Sequence, residues 1–516
     1  MANLETQVLI IGGGATGTGI ARDLALRGIK CILAEKDDIN AGASGANHGL
    51  LHSGSRYVAS DAEAAIECRE EGEILKRLAP HCIDNTGGIF AAVSGDDEKY
   101  ISDFPSMCQK CGISAKPIDI KEAKELEPVL SEKTIAAYLT EDASIDPFML
   151  SLENMAQAVS LGSSYMRHAK AIEFKIENGK IKYTKLINSK TGEETKVFAE
   201  QIVNAAGAWA GEMAELASVT IPMVYSKGSL VITQKRLTKR VINRLRKASD
   251  ADILVPGGAV SIFGTTSIRI NTLDAIYPTV EEVDFMISEG AKMVPILETT
   301  RYIRAYAGVR PLISLGAKKG DDRSVSRGFV LLDHTENGVD NFITITGGKL
   351  TTYRLMAEKT ADLVCRHLGI SATCKTREEP LPSTTHGKWT EPAMTPKMWM
   401  QKQKTDDILL CECEMISKSA VDSLIESAKQ SGDPALKVLG LRSRIGKGPC
   451  QGAFCSLRIA AYMYDKGELN LDSGISDIKF FLNERWRGER PLQWGTPIIQ
   501  SEIAEAIHCG FLSIEL

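Results

Sequence analysis

The chain has 516 residues, a formal net charge of −5, 43% hydrophobic residues and 25% charged residues. At roughly 100–200 residues per domain this length predicts two to four domains. The composition is typical of a globular protein and excludes a wholly disordered chain or a coiled-coil rod. The weakly acidic charge argues against a nucleic-acid-binding protein, which usually carries a basic stripe.

The sequence carries no signal for export or membrane insertion. No stretch approaches the roughly 18 consecutive apolar residues of a membrane span, and the start, MANLETQVLIIGGG, lacks the basic and apolar regions of a signal peptide. We therefore expect an intracellular protein. In a reducing compartment its 12 cysteines are expected to serve as metal ligands or redox groups where they are grouped, rather than as disulfides.

The first 36 residues are predicted to form a βαβ unit. Residues 7–11 (QVLII) are a short apolar run of the kind found in buried parallel strands. Residues 15–27 have apolar residues at helical spacing and stop at Gly28, and residues 30–34 predict a second strand that Glu35 closes.

A dinucleotide-binding motif, GxGxxG, lies at the first strand-to-helix turn. Gly12 permits the tight turn, Gly14 lets a pyrophosphate approach the backbone, and Gly17 lets helix and strand pack closely. Glu35, 23 residues after Gly12, ends the second strand, where a carboxylate binds ribose hydroxyls and disfavours the 2′-phosphate of NADP. The context predicts a dinucleotide site, with a glycine turn without ligand as the alternative. Because no second GxGxxG follows, one tightly bound FAD is favoured over a reductase fed by NADH.

The rest of the chain predicts mixed α/β structure followed by a smaller module. The segments are a charged helical region with a break at Gly87-Gly88 (60–135), strands with a turn at Asn178-Gly179 (171–203), mixed strands and helices (217–330), a strand–glycine–helix unit (342–369), a linker (371–405), a mostly helical module (406–470) and a tail that ends in a helix (471–516).

A series of long motifs, in order along residues 5–370, resembles the FAD-dependent glycerol-3-phosphate dehydrogenases. They are ASGANHGLLHSGSRY (43–57), NAAGAW (204–209), DADILVPG (250–257), FGTT (263–266), RAYAGVRPL (304–312), SRGFVLLDH (326–334) and TGGKLTTYRLMAE (346–358). The resemblance implies an α/β fold (α+β overall) of the amino-acid-oxidase type. It has a Rossmann-like FAD-binding domain (about 1–75, 140–215 and 330–370), interleaved with a mixed-sheet substrate domain (about 76–139 and 216–329).

Four cysteines of the C-terminal third have the spacing C-x-C…C-x₄-C. Cys411, Cys413, Cys450 and Cys455 offer four thiolates, which suit an iron–sulfur cluster or zinc. The single residue between the first two fits zinc less well. The segment also resembles the [2Fe–2S] domains of the bacterioferritin-associated-ferredoxin type, so we predict a [2Fe–2S] cluster, with zinc as the alternative.

The C-terminal tail narrows the resemblance to one branch of the family. ERWRGERPLQWG (484–495) is similar to the end of the large catalytic chain of the anaerobic branch. This resemblance implies companion B and C subunits, electron delivery to a membrane quinone, and a peripheral location at the cytoplasmic side of the membrane.

The resemblance implies hydride transfer from C2 of glycerol 3-phosphate to FAD, which yields dihydroxyacetone phosphate. A phosphate in a buried pocket needs cations, preferably the forked donors of arginine. Motif matches nominate Arg56, Arg310, Arg327 and Lys349 for this role, Arg310 and Lys349 also for catalysis, with ordinary surface ion pairs as the alternative. His52 is the candidate general base, although it could instead only line the site.

The dinucleotide motif and the family motifs together predict the FAD contacts. These residues are Gly12, Gly14, Ala15, Thr16, Gly17, Glu35, Lys36, Ser44, Gly45, His48, Gly49, Leu50, Ala171, Gly207, Gly347, Gly348, Lys349, Leu350 and Thr351. One departure concerns the segment Lys227-Gly228-Ser229-Leu230, where aerobic relatives carry a histidine in place of Leu230. Leucine carries no proton, so no base is inferred there.

Two other functions compete with this prediction. One is a related dehydrogenase of amino acids or opines, whose substrate would bring a carboxylate and an amine and need fewer cations. The other is an electron-transfer or redox-sensing subunit that holds FAD and a cluster but has no substrate pocket.

Overall fold

The computed structural model describes residues 2–274, 276–313, 328–382, 406–429, 432, 434–510 and 513–515. The predicted substrate ligand Arg327 and most of the predicted linker, 383–405, lie outside these residues.

The strands are, in chain order, β1 (Ala2–Ile11), β2 (Cys31–Glu35), β3 (Leu50–Leu51), β4 (Ile83–Asp84), β5 (Gly88–Val93), β6 (Lys116–Ile118), β7 (Thr134–Thr140), β8 (Ala143–Ile145), β9 (Ser164–Arg167), β10 (Ala169–Glu177), β11 (Lys180–Asn188), β12 (Glu194–Asn204), β13 (Met223–Thr233), β14 (Val241–Arg244), β15 (Ile253–Gly257), β16 (Val260–Gly264), β17 (Ile268–Ile270), β18 (Tyr302–Ile313), β19 (Phe329–Asp333), β20 (Phe342–Gly347), β21 (Leu409–Cys411) and β22 (Ile416–Ser417).

The α-helices are α1 (Ala15–Leu26), α2 (Ala62–Leu78), α3 (Glu98–Lys110), α4 (Ile120–Leu126), α5 (Pro147–Ser160), α6 (Ala210–Glu215), α7 (Val280–Met293), α8 (Tyr353–Leu368), α9 (Lys418–Lys429), α10 (Leu436–Leu441), α11 (Cys455–Asp465), α12 (Leu471–Glu489) and α13 (Thr496–Glu505). None of the described helices is long and apolar enough to cross a membrane.

The first sheet grows from the predicted βαβ unit. Within the described residues it has eight strands. β1 pairs in parallel with β2 and β12, β12 pairs with β20, and the hairpin β10–β11 joins the other end of β12. The turn of this hairpin falls at Asn178-Gly179, as predicted, with φ of 50° and 73°, which is the left-handed geometry that Asn-Gly favours. Helices α1, α5 and α8 pack on one face through buried apolar side chains such as Ile20, Met155 and Val364.

A second sheet, nine-stranded within the described residues, lies in the segments that the sequence predicts as a substrate domain. Its longest pairing joins β13 to β18, and β5, β6 and β7 lie at its other end. Residues 60–135 are therefore not the purely helical region that the sequence predicts. All six residues of β5 (GIFAAV) are buried, and a strand buried on both faces lacks the alternation that separates strand from helix.

The C-terminal module has its own core and extends beyond the predicted boundary at residue 470. Ile478, Phe481 and Leu482 of α12 pack with apolar residues of α9 and α11 in one buried cluster. Helix α12 also contacts β18 of the second sheet. The first part of the tail is thus structurally part of the module and holds it against the oxidoreductase sheets.

The described start of the predicted linker, 371–382, is also packed. Thr376 and Leu381 are buried, and the Leu381 N–H donates to the Leu78 carbonyl at 2.9 Å. Segment 371–382 therefore belongs structurally to the first domain, because its side chains cover the ends of α1, α2 and α8.

Candidate functional site

A cavity of about 810 Å³ opens at the carboxyl ends of β1 and β2 and extends towards the second sheet. Its volume lies within the range of about 300–1,000 Å³ that is usual for small-molecule sites. Fifteen of the predicted FAD contacts line it: Gly12, Gly14, Ala15, Thr16, Glu35, Lys36, Ser44, His48, Leu50, Ala171, Gly207, Gly347, Gly348, Lys349 and Leu350. Residues far apart in sequence are thus brought to one wall, as a dinucleotide site requires.

The glycine turn at one end of the cavity has no room for side chains. Gly12 has a φ of 117°, and a Cβ there would lie 2.4 Å from the Ala205 carbonyl oxygen. A Cβ at Gly17 would lie 1.9 Å from the Gly12 carbonyl oxygen. Gly14, Ala15 and Thr16 at the start of α1 line the cavity, and the N-terminus of a helix favours a bound pyrophosphate.

Glu35 is fixed beside the glycine turn. Its carboxylate accepts the N–H groups of Gly13 at 2.7 Å and Asp37 at 2.8 Å. Burial raises the pKa of Glu35, although these two hydrogen bonds oppose the rise. The carboxylate is held at the end of β2, where it can accept hydrogen bonds from ribose hydroxyls.

Replacing Gly12 with alanine is expected to abolish FAD retention, because the new Cβ would meet the Ala205 carbonyl and force the turn open. Gly28→Ala is the matched control, since Gly28 also has a positive φ (83°) but no heavy atom within 4 Å of a Cβ. The control is expected to lose about 1–2 kcal/mol of stability from backbone strain and to keep its flavin. The flavin content of both variants is measured as flavin absorbance per protein after gel filtration. A Gly12→Ala protein that retains its flavin would contradict the prediction.

Four predicted cofactor contacts shape the cavity without lining it. They are Gly17, Gly45, Gly49 and Thr351. A Cβ at Gly45 would lie 2.2 Å from the Asn40 carbonyl oxygen, and one at Gly49 would lie 2.7 Å from that of Ile145. Family motifs nominated these residues, but their described contacts are with the protein's own backbone.

Arg310 reaches the cavity from β18 and is held by neighbours on the same sheet. Its guanidinium donates to the Thr266 carbonyl at 3.1 Å, to Ser226 Oγ at 3.4 Å and to Thr265 Oγ1. Lys349 lines the opposite wall, with Nζ 4.9 Å from the centre of the Tyr57 ring. The two cations therefore face one cavity from different domains.

Arg56 also lines the cavity but is engaged by an acid. Its Nη2 donates to Asp252 Oδ2 at 2.9 Å and to the Ser249 carbonyl at 3.1 Å. Asp252 is fully buried and also pairs with Arg246. The ion pair with Asp252 thus holds the Arg56 guanidinium on the cavity wall.

Two histidines of the 43–57 motif line the cavity. Burial, together with repulsion from Arg310 and Arg56, lowers the pKa of His48 to about 3, so His48 is neutral at pH 7. His52 lies nearer to Lys349, and its Nε2 is 3.3 Å from the Tyr57 hydroxyl. Its backbone N–H donates to Thr351 Oγ1 at 3.2 Å. His52 and Tyr57 thus form a hydrogen-bonded pair on the cavity wall.

The sequence motifs included Tyr57 and Thr265, but neither was nominated as a site residue. Both line the cavity. Tyr57 directly follows Arg56 in the family motif. This position was the signal by which the sequence could have identified Tyr57 as a site residue. Leu230, where aerobic relatives carry a histidine, is buried in β13 and does not line this cavity.

The four predicted metal ligands come together in the C-terminal module. Cys411 and Cys413 Sγ are 3.9 Å apart, and Cys413 and Cys450 Sγ are 3.5 Å apart. Cys455 interacts with both Cys411 and Cys450, so the four sulfurs form a closed ring. No three of them lie mutually within 4.8 Å; among the described residues only His81, Cys82 and Glu153 form such a group.

The surroundings of the ring favour the thiolate at Cys450, whereas neighbouring sulfurs and burial raise the pKa of Cys411, Cys413 and Cys455. Hydrogen bonds from Cys413 and Cys455 lower the pKa of Cys450, and backbone N–H groups of Gly452 and Phe454 act in the same direction. Cys411 and Cys455 are buried. Amide donors beside buried sulfurs suit a bound cluster, whose sulfurs carry negative charge.

Comparison with known proteins places this geometry in a family. The profile of FAD-dependent oxidoreductases matches residues 7–363. The chain is 42% identical over 536 aligned residues to the A chain of the anaerobic glycerol-3-phosphate dehydrogenase of Escherichia coli K12, covering 99% of this chain and 97% of that protein. The chain belongs to the FAD-dependent oxidoreductase family. Within that family its relatives are the corresponding chains of anaerobic glycerol-3-phosphate dehydrogenases.

Solved structures share the fold of this oxidoreductase. The glycerol-3-phosphate dehydrogenase of Bacillus halodurans, complexed with FAD, superposes with a TM-score of 0.66 at 20% identity and covers 95% of this chain and 96% of its own. Glycine oxidase of Geobacillus kaustophilus superposes with a TM-score of 0.59 at 21% identity, over 73% and 98% of the two chains. The predicted amino-acid-oxidase-like α/β fold, FAD as cofactor and an oxidoreductase activity are confirmed.

Proposed function

We propose that this oxidoreductase oxidises glycerol 3-phosphate to dihydroxyacetone phosphate. The observation that carries the proposal is the placement of Arg310 and Lys349 on one cavity with the FAD-binding glycine turn. Two fixed cations suit a substrate that carries close to two negative charges, and a forked guanidinium suits phosphate geometry. The names of full-length relatives at 42% identity support the same substrate.

In this mechanism Arg310 and Lys349 bind the phosphate and thereby orient C2 of the substrate. Threonine and serine side chains of β13 and its neighbours keep the Arg310 guanidinium in place. His52 Nε2 is placed to take the hydroxyl proton, directly or through the Tyr57 hydroxyl 3.3 Å away. Bound FAD supplies the hydride acceptor. Neutral His48 adds no positive charge that would compete with Arg310.

We further propose that the cysteine ring holds a [2Fe–2S] cluster. A tetrahedral zinc site with Zn–S bonds of about 2.3 Å places every sulfur pair about 3.8 Å apart. The ring of four sulfurs instead has neighbouring pairs at 3.5 and 3.9 Å and wider diagonals, since no three lie mutually within 4.8 Å. The wide diagonals depart from a tetrahedral zinc site, and the single residue between Cys411 and Cys413 fits zinc less well. The cluster would carry electrons one at a time away from the flavin.

The electrons would leave through companion B and C subunits to a membrane quinone, at which the protein is held peripherally on the cytoplasmic side. The relatives carry names that mark them as one chain of a multi-subunit enzyme, which supports the existence of companions. With a bound cluster, the cysteine module would pass electrons out of this chain one at a time.

Anaerobic addition of glycerol 3-phosphate to the purified holoenzyme is expected to bleach the flavin absorbance, whereas glycerol and amino acids leave it unchanged. Glycerol is the matched control, because it lacks only the phosphate. Bleaching by an amino acid or opine would favour the related dehydrogenase, and no bleaching by any of these compounds would favour a non-catalytic role.

The cluster is tested by metal and sulfide analysis of the purified protein. Iron and acid-labile sulfide near two per chain would support the cluster, and zinc would contradict it.

A further inference from the structure

A second cavity, of about 480 Å³, lies between the oxidoreductase sheets and the C-terminal module. The loop that carries Gly42, Asn47 and His48 separates it from the FAD-binding cavity, since these residues line both. Its other walls come from β18, α10 and α12. The C-terminal module therefore forms part of the wall of this cavity.

Basic side chains outnumber acidic ones on this wall. The basic residues are Arg304, Lys437, Arg444, Lys447, Arg485 and Arg487, and the acidic residues are Asp37, Asp146 and Glu484. Lys437 pairs with Asp37 at 2.7 Å, Arg444 pairs with Glu414 at 2.6 Å, and Arg487 pairs with Glu484 at 2.7 Å. Within the described part of the chain, Arg304, Lys447 and Arg485 have no ion pair.

In two of these three cations some guanidinium nitrogens are buried without an acceptor, whereas Lys447 Nζ donates to the Ser443 carbonyl. Nε and Nη1 of Arg485 and Nε of Arg304 are buried without an acceptor among the described residues. Arg485 is only 9% exposed, and its guanidinium lies 4.8 Å above the Phe481 ring. Buried guanidinium donors without acceptors are costly, so an anion that accepts from them would stabilise this arrangement.

The remaining wall is apolar and partly aromatic. Phe148, Tyr277 and Phe480 line it together with Val260 and Ile262. Lys447 Nζ lies 3.1 Å from the centre of the Phe148 ring, so the basic and aromatic parts adjoin. The volume exceeds what a single inorganic anion needs, since it falls within the size range of organic ligands.

We propose that this second cavity binds a small phosphate ester with an aromatic or apolar body. Three basic side chains that form no ion pair with the described residues suit a dianionic phosphate better than a single carboxylate, and arginine forks suit its oxygens. The aromatic wall would hold the organic part. Such a ligand would lie between the flavin loop and the cysteine ring and would fasten the module to the oxidoreductase.

The test is calorimetric titration of FAD-saturated holoenzyme with AMP, with adenosine and inorganic phosphate as matched probes. AMP is expected to bind, adenosine not to bind, and inorganic phosphate to bind more weakly than AMP. R485Q and R304Q are each expected to weaken AMP binding roughly tenfold or more. R458Q, which alters an exposed arginine outside this wall, is expected to bind AMP normally.

Failure of AMP and phosphate to bind would overturn the proposal, and so would equal affinity for the two. If R485Q shifts the cluster potential while the unmodified protein binds no phosphate ester, the arginines serve only the cluster and the proposal is wrong. Should R485Q fail to fold, I262F narrows the cavity from its apolar side and is expected to weaken AMP binding. These readouts do not depend on flavin bleaching, so this proposal and the proposed activity can fail separately.

Discussion

Replacing Arg310 with alanine is expected to raise the KM for glycerol 3-phosphate by about tenfold to a hundredfold. A hydrogen bond to a charged group contributes roughly 1.5–3 kcal/mol, and each 1.4 kcal/mol is about a factor of ten in affinity. The half-buried guanidinium lines the cavity and is fixed by Thr265 and Thr266, so water cannot replace it at the same position. Stopped-flow reduction of the flavin at varied substrate concentration measures the effect.

Arg310→Lys keeps the charge but loses the forked donors, and it is expected to fall between the unmodified enzyme and the alanine variant. Arg69→Ala is the surface control, because Arg69 pairs with Glu70 outside the cavity wall. If the alanine variant shows unmodified kinetics, the phosphate binds elsewhere and our assignment of the pocket is wrong.

Replacing Cys450 with serine is expected to block electron flow beyond the flavin while leaving flavin reduction by substrate intact. Cys450 Sγ is 3.5 Å from Cys413 Sγ and is the sulfur whose pKa its neighbours lower, so its loss opens the ring of ligands. The iron content is expected to fall, and reduction of an artificial quinone analogue by the complex is expected to decrease at least tenfold. The flavin half-reaction serves as the internal reference.

Cys509→Ser is the matched control, because Cys509 is only partly buried and lies outside the cysteine ring. That variant is expected to retain its iron and its electron transfer. Loss of the flavin half-reaction in Cys450→Ser would contradict the prediction, because it would mean that the module supports the substrate site structurally rather than carrying electrons.

Local sequence signals predicted the part of the fold that local chemistry dictates. Gly17 has no room for a side chain because a Cβ there would meet the carbonyl of Gly12, a few residues earlier, so this local motif identified the first turn. Asn178-Gly179 has a left-handed turn that few other residues adopt. The cysteines were recognised as a group because their spacing alone favours a shared ligand, and the structure brings them into one ring.

Features that depend on distant partners were not predicted. Strand β5 pairs with β7 and β14 within the sheet, and α7 covers one of its faces while α3 covers the other. Nothing in its own sequence pattern distinguishes it from a helix. The ion pair of Arg56 with Asp252, almost 200 residues away in sequence, had no local signal. The sequence predicts that the residues of α12 belong to a tail. Their place in the module core depends on tertiary contacts, which the sequence pattern does not show.

Strand β18 touches both cavities, with Arg310 at the first and Arg304 at the second. Their Cα atoms are six residues apart on one paired strand, which at about 3.3 Å per residue spans about 20 Å. Because β13 pairs with β18 along its whole length, this span cannot stretch or contract without breaking the ladder. The paired strand thus fixes the distance between the FAD-binding cavity and the second cavity. This distance would stay constant during turnover.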